Sequence, residues 1–152
     1  MHLTQKQLEE LMAVALTLAE DAHNSGDSPF GAVIARQDGK IVVRSKNTTN
    51  TDMNPIAHAE MNALTELVHK TRSKKLLNYI LVSNIQSCPM CFSALYRSGF
   101  RHFVYGSSED STLVPKINVH ELNKLCTPRA EIITGVLKDQ CLQLLARTRN
   151  TS

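Results

Sequence analysis

Residues 79–105, YILVSNIQSCPMCFSALYRSGFRHFVY, decide the fold. Tyr79–Ser83 is a short apolar run rich in strand formers, and Arg101–Tyr105 is a second one. Between them, Pro89–Ser98 starts on a proline suited to a first helical turn and spaces its apolar residues at helical intervals. A strand, a helix and a strand joined by short connections form a crossover unit whose two strands run in parallel.

Upstream of this unit, Leu8, Leu11, Met12, Ala15, Leu16 and Ala19 repeat with helical spacing, and Thr4 with Gln7 makes a capping box. The spacing predicts an amphipathic helix over Thr4–His23, ended by the turn-forming run Asn24 to Pro29. Gly31–Ala35 and Ile41–Ser45 are strands, and Asp38-Gly39 between them closes a β-hairpin. Asn47–Asn54 is a polar loop; Asn54-Pro55 combines a capping residue with a first-turn proline and predicts a helix running to about Lys70. Downstream, a helix is expected over Lys116–Leu125, a strand over Glu131–Val136 and a closing helix from Leu137 to about Arg147. These elements predict an α/β fold: a three-layer α/β/α sandwich around a mixed five-stranded sheet, in a single domain over residues 1–152.

Composition narrows the function classes. With 42% hydrophobic and 20% charged residues the chain is an ordinary globular protein, able to build a core without disulfides. No apolar run approaches the roughly 18 residues of a membrane span, and neither a signal peptide nor an anchor is expected, so the cytoplasm is the expected location. A net charge of +3 is mild for a dedicated nucleic-acid binder. Of four cysteines, Cys126 and Cys141 stand alone in apolar stretches as small buried hydrophobes, while Cys88 and Cys91 form a pair.

That pair and the triplet His58-Ala59-Glu60 carry the chemistry. Either motif alone is common, but one imidazole and two thiolates supply three ligands for a tetrahedral Zn²⁺ and leave its fourth position to water. Cys88 and Cys91, three residues apart at a helix start, can share a metal. His58 and Glu60, two apart, would diverge on a regular helix; in a first turn both lean back toward the N-terminus and can converge beyond the helix end. The metal is therefore expected off the ends of two helices, whose positive dipole ends favour thiolate. Glu60, not a ligand, is placed to move protons. A structural zinc would need a fourth protein ligand, for which Cys126 is the remaining candidate.

At these residues the chain resembles the cytidine and deoxycytidylate deaminase superfamily, which shares an H-x-E followed by a C-x-x-C. The likeness also takes in Pro29-Phe30-Gly31-Ala32-Val33, the loop from Asn47, and Asn54 to Glu60. It is greatest to the branch of bacterial guanine deaminase, fungal cytosine deaminase and the tRNA adenosine deaminases. The resemblance implies one zinc per subunit on His58, Cys88 and Cys91, with Glu60 catalytic. It further implies substrate contacts from Asn47, from the Ser87 carbonyl, from Phe30 as a pocket wall and from Ala59. Gln86-Ser87 stands where the branch usually has Glu-Pro, removing a charge and a stiff residue from behind the ligands.

The activity expected from the resemblance is hydrolytic loss of an exocyclic amino group as ammonia from a free base or related aminoheterocycle, guanine first and cytosine next. A tRNA adenosine deaminase is the alternative, and an inactive zinc-binding subunit of the same fold the non-enzyme reading. Phe30 favours the small-molecule branch; aromatics at 5% and no tryptophan offer few stacking platforms for RNA. The C-terminal segment from Glu131 is similar to the tRNA branch. Arg72, Lys74, Lys75, Arg147 and Arg149 are read as solvated charge in preference to RNA contacts. A homodimer or larger homo-oligomer is implied by the resemblance alone.

Overall fold

The computed structural model describes residues 1–108 and 115–149. In chain order it comprises α1 (Gln5–Asn24), β1 (Gly31–Arg36), β2 (Ile41–Lys46), α2 (Ala59–Thr71), β3 (Tyr79–Ile85), α3 (Pro89–Arg97), β4 (His102–Ser107), α4 (Val119–Lys124), β5 (Glu131–Ile133) and α5 (Lys138–Arg149). The strands form one sheet in the order β2-β1-β3-β4-β5. β1 pairs antiparallel with β2 and β3, while β3–β4 and β4–β5 are parallel, so the sheet is mixed as expected.

Alternation along the central strands divides the core into two layers. Val33, Ala35, Ile80, Val82 and Val104 face α1 and α5, packing on Leu11, Met12, Ala15 and Cys141. Ala32, Ile34, Leu81, Phe103 and Tyr105 face the other way, against Ala63 and Leu67 of α2 and Phe92 and Leu95 of α3. The capping box at Thr4 is present, with Gln7 N–H donating to Thr4 Oγ1 at 3.1 Å.

Three element boundaries differ from the sequence expectation. α2 does not open at Asn54-Pro55: Asn54 Oδ1 accepts from Ile56 N–H and its carbonyl from Ala57 N–H, so the dipeptide builds a turn and the helix starts at Ala59. α4 starts only at Val119 because Asn118 and Glu121 form a second capping box. β5 stops at Ile133 because Gly135 and Leu137 take positive φ, which turns the chain inward and buries Val136.

Gly31 explains how α1 reaches the sheet. A Cβ there would stand 2.1 Å from the Ala15 carbonyl oxygen and 2.7 Å from Ala19 N, so the strand touches helix backbone directly. Its amide donates to Asn84 Oδ1 at 2.9 Å, and Asn84 Nδ2 donates to the Pro29 carbonyl at 3.0 Å. Phe30 is thereby held from both sides by backbone whose course a buried asparagine fixes. No helix among the described residues is long and apolar enough to cross a membrane.

Candidate metal and active site

His58 and Cys88 occupy equivalent places. Each is the N-cap residue of its helix, with extended backbone (φ −65°, ψ 154° and φ −67°, ψ 166°), and neither side chain caps its own helix. Extended N-caps project their side chains off the helix ends, which brings the two helix starts to one point. Glu60 lies at the second position of α2 and Cys91 at the third of α3, one short step inside. The sequence reading put the two motifs inside the first turns; the structure moves each by one residue outward and keeps the convergence.

His58 Nδ1 is 3.6 Å from Cys88 Sγ and 3.5 Å from Cys91 Sγ, and all three ligand atoms lie within 4.8 Å of one another. A tetrahedral zinc with Zn–S about 2.3 Å and Zn–N about 2.0–2.1 Å separates nitrogen from sulfur by about 3.5 Å. The three side chains thus fit zinc without rearrangement, with Nδ1 as the nitrogen that faces it. No other histidine, cysteine or carboxylate among the described residues joins the cluster. Cys126 is elsewhere, its thiol donating to the Leu122 carbonyl, so a fourth protein ligand for a structural zinc is not supplied by it.

Charge is organised around the same point. The Cys91 thiol donates to Cys88 and, with His58, outweighs burial to hold the Cys88 thiol down to about 4. Cys91 is pushed up by donating that hydrogen bond, by burial and by the charge on Glu60. The pair therefore gives up its first proton readily and keeps its second until a cation compensates for it. Glu60 is 4% exposed, and burial raises its pKa against the opposing effect of its own backbone amide. A carboxyl raised in this way is suited to pass a proton in both directions.

Asn47 is 2% exposed at the start of the 47–57 loop; its amide donates to the Phe30 carbonyl at 3.0 Å, and its Oδ1 accepts from Thr49 N–H and Oγ1. Phe30 is half-buried against the α2–α3 side of the core. Ser87 and Ala59 are fully buried, and only His58 and Cys88 of the cluster are partly open. Access to the site is therefore from their side.

The polar residues that shape this loop were not found in the sequence. The Asp27 carboxylate, 4% exposed, accepts from Asn50 N–H, Thr51 N–H and Thr51 Oγ1 at 2.8, 3.0 and 2.8 Å. Burial would raise its pKa, but the Thr51 and Asn50 hydrogen bonds outweigh it and hold the carboxyl below its ordinary value. Asn62 on α2 donates to Lys46 O and Thr48 Oγ1, fixing the other side. Asp27→Ala should release the loop and raise KM about tenfold, with a smaller change in kcat, in steady-state kinetics. Gln86 has a definite place as well. Its carboxamide donates to the Ser108 carbonyl and accepts from Val119 N–H, joining the end of β4 to the start of α4, which a carboxylate could not do from both ends.

The basic residues fall away from the metal cluster. Lys75 lines a cleft with Arg36 and Tyr79 at the opposite end of the sheet, and Arg147 is paired with Glu20 at 2.6 Å.

Residues 5–107 match the cytidine and deoxycytidylate deaminase zinc-binding region. A tRNA-specific adenosine deaminase of Rickettsia bellii is 32% identical over 136 residues, 88% of this chain and 94% of that relative. A guanine deaminase structure from Nitrosomonas europaea superposes with a TM-score of 0.84 at 24% identity, over 93% of this chain and 84% of that one, and shares the fold. The guanine deaminase of Bacillus subtilis is 30% identical with a TM-score of 0.64, over 76% of this chain and 74% of that one. With the matched region containing every residue of the His-Cys-Cys cluster, the chain belongs to the cytidine and deoxycytidylate deaminase family of zinc-dependent hydrolases.

Proposed function

We propose that the protein is a hydrolytic deaminase of a purine amino group, with His58, Cys88 and Cys91 holding zinc and Glu60 carrying protons. The observation that carries this reading is the cluster itself: one nitrogen and two sulfurs at zinc spacing, with a buried carboxylate of raised pKa beside them. Zinc, when bound, supplies the Lewis acidity that makes water a nucleophile near neutral pH. Glu60 takes the proton that water loses as it adds to the amino-bearing ring carbon, and delivers it to the adjacent ring nitrogen. A second transfer through the same carboxylate protonates the amino group, which leaves as ammonia while the carbon becomes a carbonyl. Asn47, through Nδ2, and the Ser87 carbonyl orient the ring, Phe30 packs on it, and the Ala59 contact is restricted to its backbone N–H.

For the substrate we place adenosine in a tRNA anticodon loop first, reversing the order reached from sequence alone. The support is the run of curated tRNA-specific adenosine deaminases at about 30% identity, whose similarity extends over most of the chain, including its C-terminal segment. Free guanine is the second reading, favoured by Phe30 and by the scarcity of aromatic residues for stacking RNA. Ammonia release from an anticodon stem-loop and from guanine, measured in parallel, separates them. The first reading expects release from the stem-loop; release from guanine alone would overturn it.

A further inference from the structure

Three hydroxyls behind the site have no evident use. Ser83 Oγ, Ser87 Oγ and Tyr105 OH are fully buried, and no hydrogen bond reaches any of them. Unpaired buried hydroxyls are destabilising and uncommon, so three in one structure need a reason. Their placement suggests one. Ser83 on β3 faces Tyr105 on β4 in register, on the sheet side that packs against α2 and α3, and Ser87 immediately precedes Cys88. Ser87 lies close enough to Glu60 and to Tyr105 to lower the pKa of each, and the charge on Glu60 in turn opposes ionisation of Tyr105. The hydroxyls thus stand in a file behind the buried carboxylate, on the side away from the opening at His58 and Cys88.

We propose that Ser87 and Tyr105 are positioning residues for Glu60: the Ser87 hydroxyl donates to the carboxylate when it is ionised, and the Tyr105 hydroxyl donates to Ser87. A hydroxyl can rotate, so the file serves the ionised carboxylate as a donor and relaxes when Glu60 is protonated. This accounts for the unpaired state of the hydroxyls as the resting half of a cycle. It also gives Ser87 a side-chain role that the proline usual at this place in related enzymes has no atom to perform. The inference rests on the proton-carrying role of Glu60 proposed above.

The test uses the full zinc-loaded chain as wild type, Ser87→Ala, Tyr105→Phe, the double variant and Glu60→Gln, with zinc content, Tm, kcat and KM measured on each. Each single variant is expected to lower kcat about tenfold, the order typical of residues that orient an active-site group, with KM within about twofold. The double variant should be no worse than the poorer single one by more than about twofold, since the two hydroxyls act in series. Zinc content should be unchanged, and Tm should hold or rise because an unpaired buried hydroxyl has gone. A merely structural role predicts the opposite, a fall in Tm accompanying any loss of turnover. Wild-type kcat in both single variants, or losses that track Tm or zinc content, would overturn the proposal. An inactive Glu60→Gln beside fully active Ser87→Ala and Tyr105→Phe removes this inference alone, whereas an active Glu60→Gln removes the reading beneath it as well.

Discussion

Glu60→Gln is expected to lower kcat by about 10²–10⁴-fold while one zinc per chain remains bound. The substitution is nearly isosteric at a position 4% exposed, so packing at the start of α2 survives. What is lost is the ability to accept a proton and return it. His58, Cys88 and Cys91 keep their spacing, because their positions depend on the two N-caps and not on the carboxylate. Removing the negative charge also relieves the effect that pushes the Cys91 thiol up, so zinc affinity should not fall. Metal analysis and turnover on the same preparation separate the two properties. Turnover within about tenfold of wild type would show that another group carries the proton.

Gly31→Ala is expected to destabilise the fold by about 3 kcal/mol, at the upper end for overpacking, equivalent to a fall in Tm of roughly 6–12 °C for a chain of this size. The added methyl would sit 2.1 Å from the Ala15 carbonyl, 2.7 Å from Ala19 N and 2.8 Å from Leu18 Cβ. Two of these are helix backbone atoms, which cannot swing aside as a side-chain tip can. Either α1 lifts from the sheet, exposing Leu11, Met12 and Ala15, or β1 shifts and strains the Asn84 hydrogen bonds to Gly31 and Pro29. Both routes displace Phe30 and, through its carbonyl, Asn47. Thermal unfolding followed by circular dichroism reads the first effect, and a rise in KM reads the second.

The contrast between these two positions shows what the sequence makes legible. Glu60 announces itself because catalytic zinc chemistry needs an acid beside a His-Cys-Cys set, and chain-local spacing reveals both motifs. The helices and strands were legible for a similar reason: periodicity is a local property, and the capping box at Thr4 lies within four residues. Gly31 gave no such signal, since its reason is an approach to Ala15 and Ala19 across a tertiary contact. Asp27, Asn62 and Asn84 were silent on the same grounds, their partners lying 14 to 55 residues away. Asn54-Pro55 misled because Asn caps a turn by the same hydrogen-bonding habit with which it caps a helix, and only the three-dimensional course of 54–57 decides between them. The strand at Glu131 was drawn too long because Val136 is buried after the chain has already turned at Gly135, so apolarity outlasted the strand.

X-ray absorption at the zinc edge of the purified protein tests the central claim most directly. The account predicts one zinc per chain with two sulfur neighbours at about 2.3 Å, one imidazole nitrogen at about 2.0–2.1 Å and one light-atom ligand from solvent. A zinc held by four protein ligands would make the site structural, and a protein that takes up no stoichiometric zinc would contradict the account altogether.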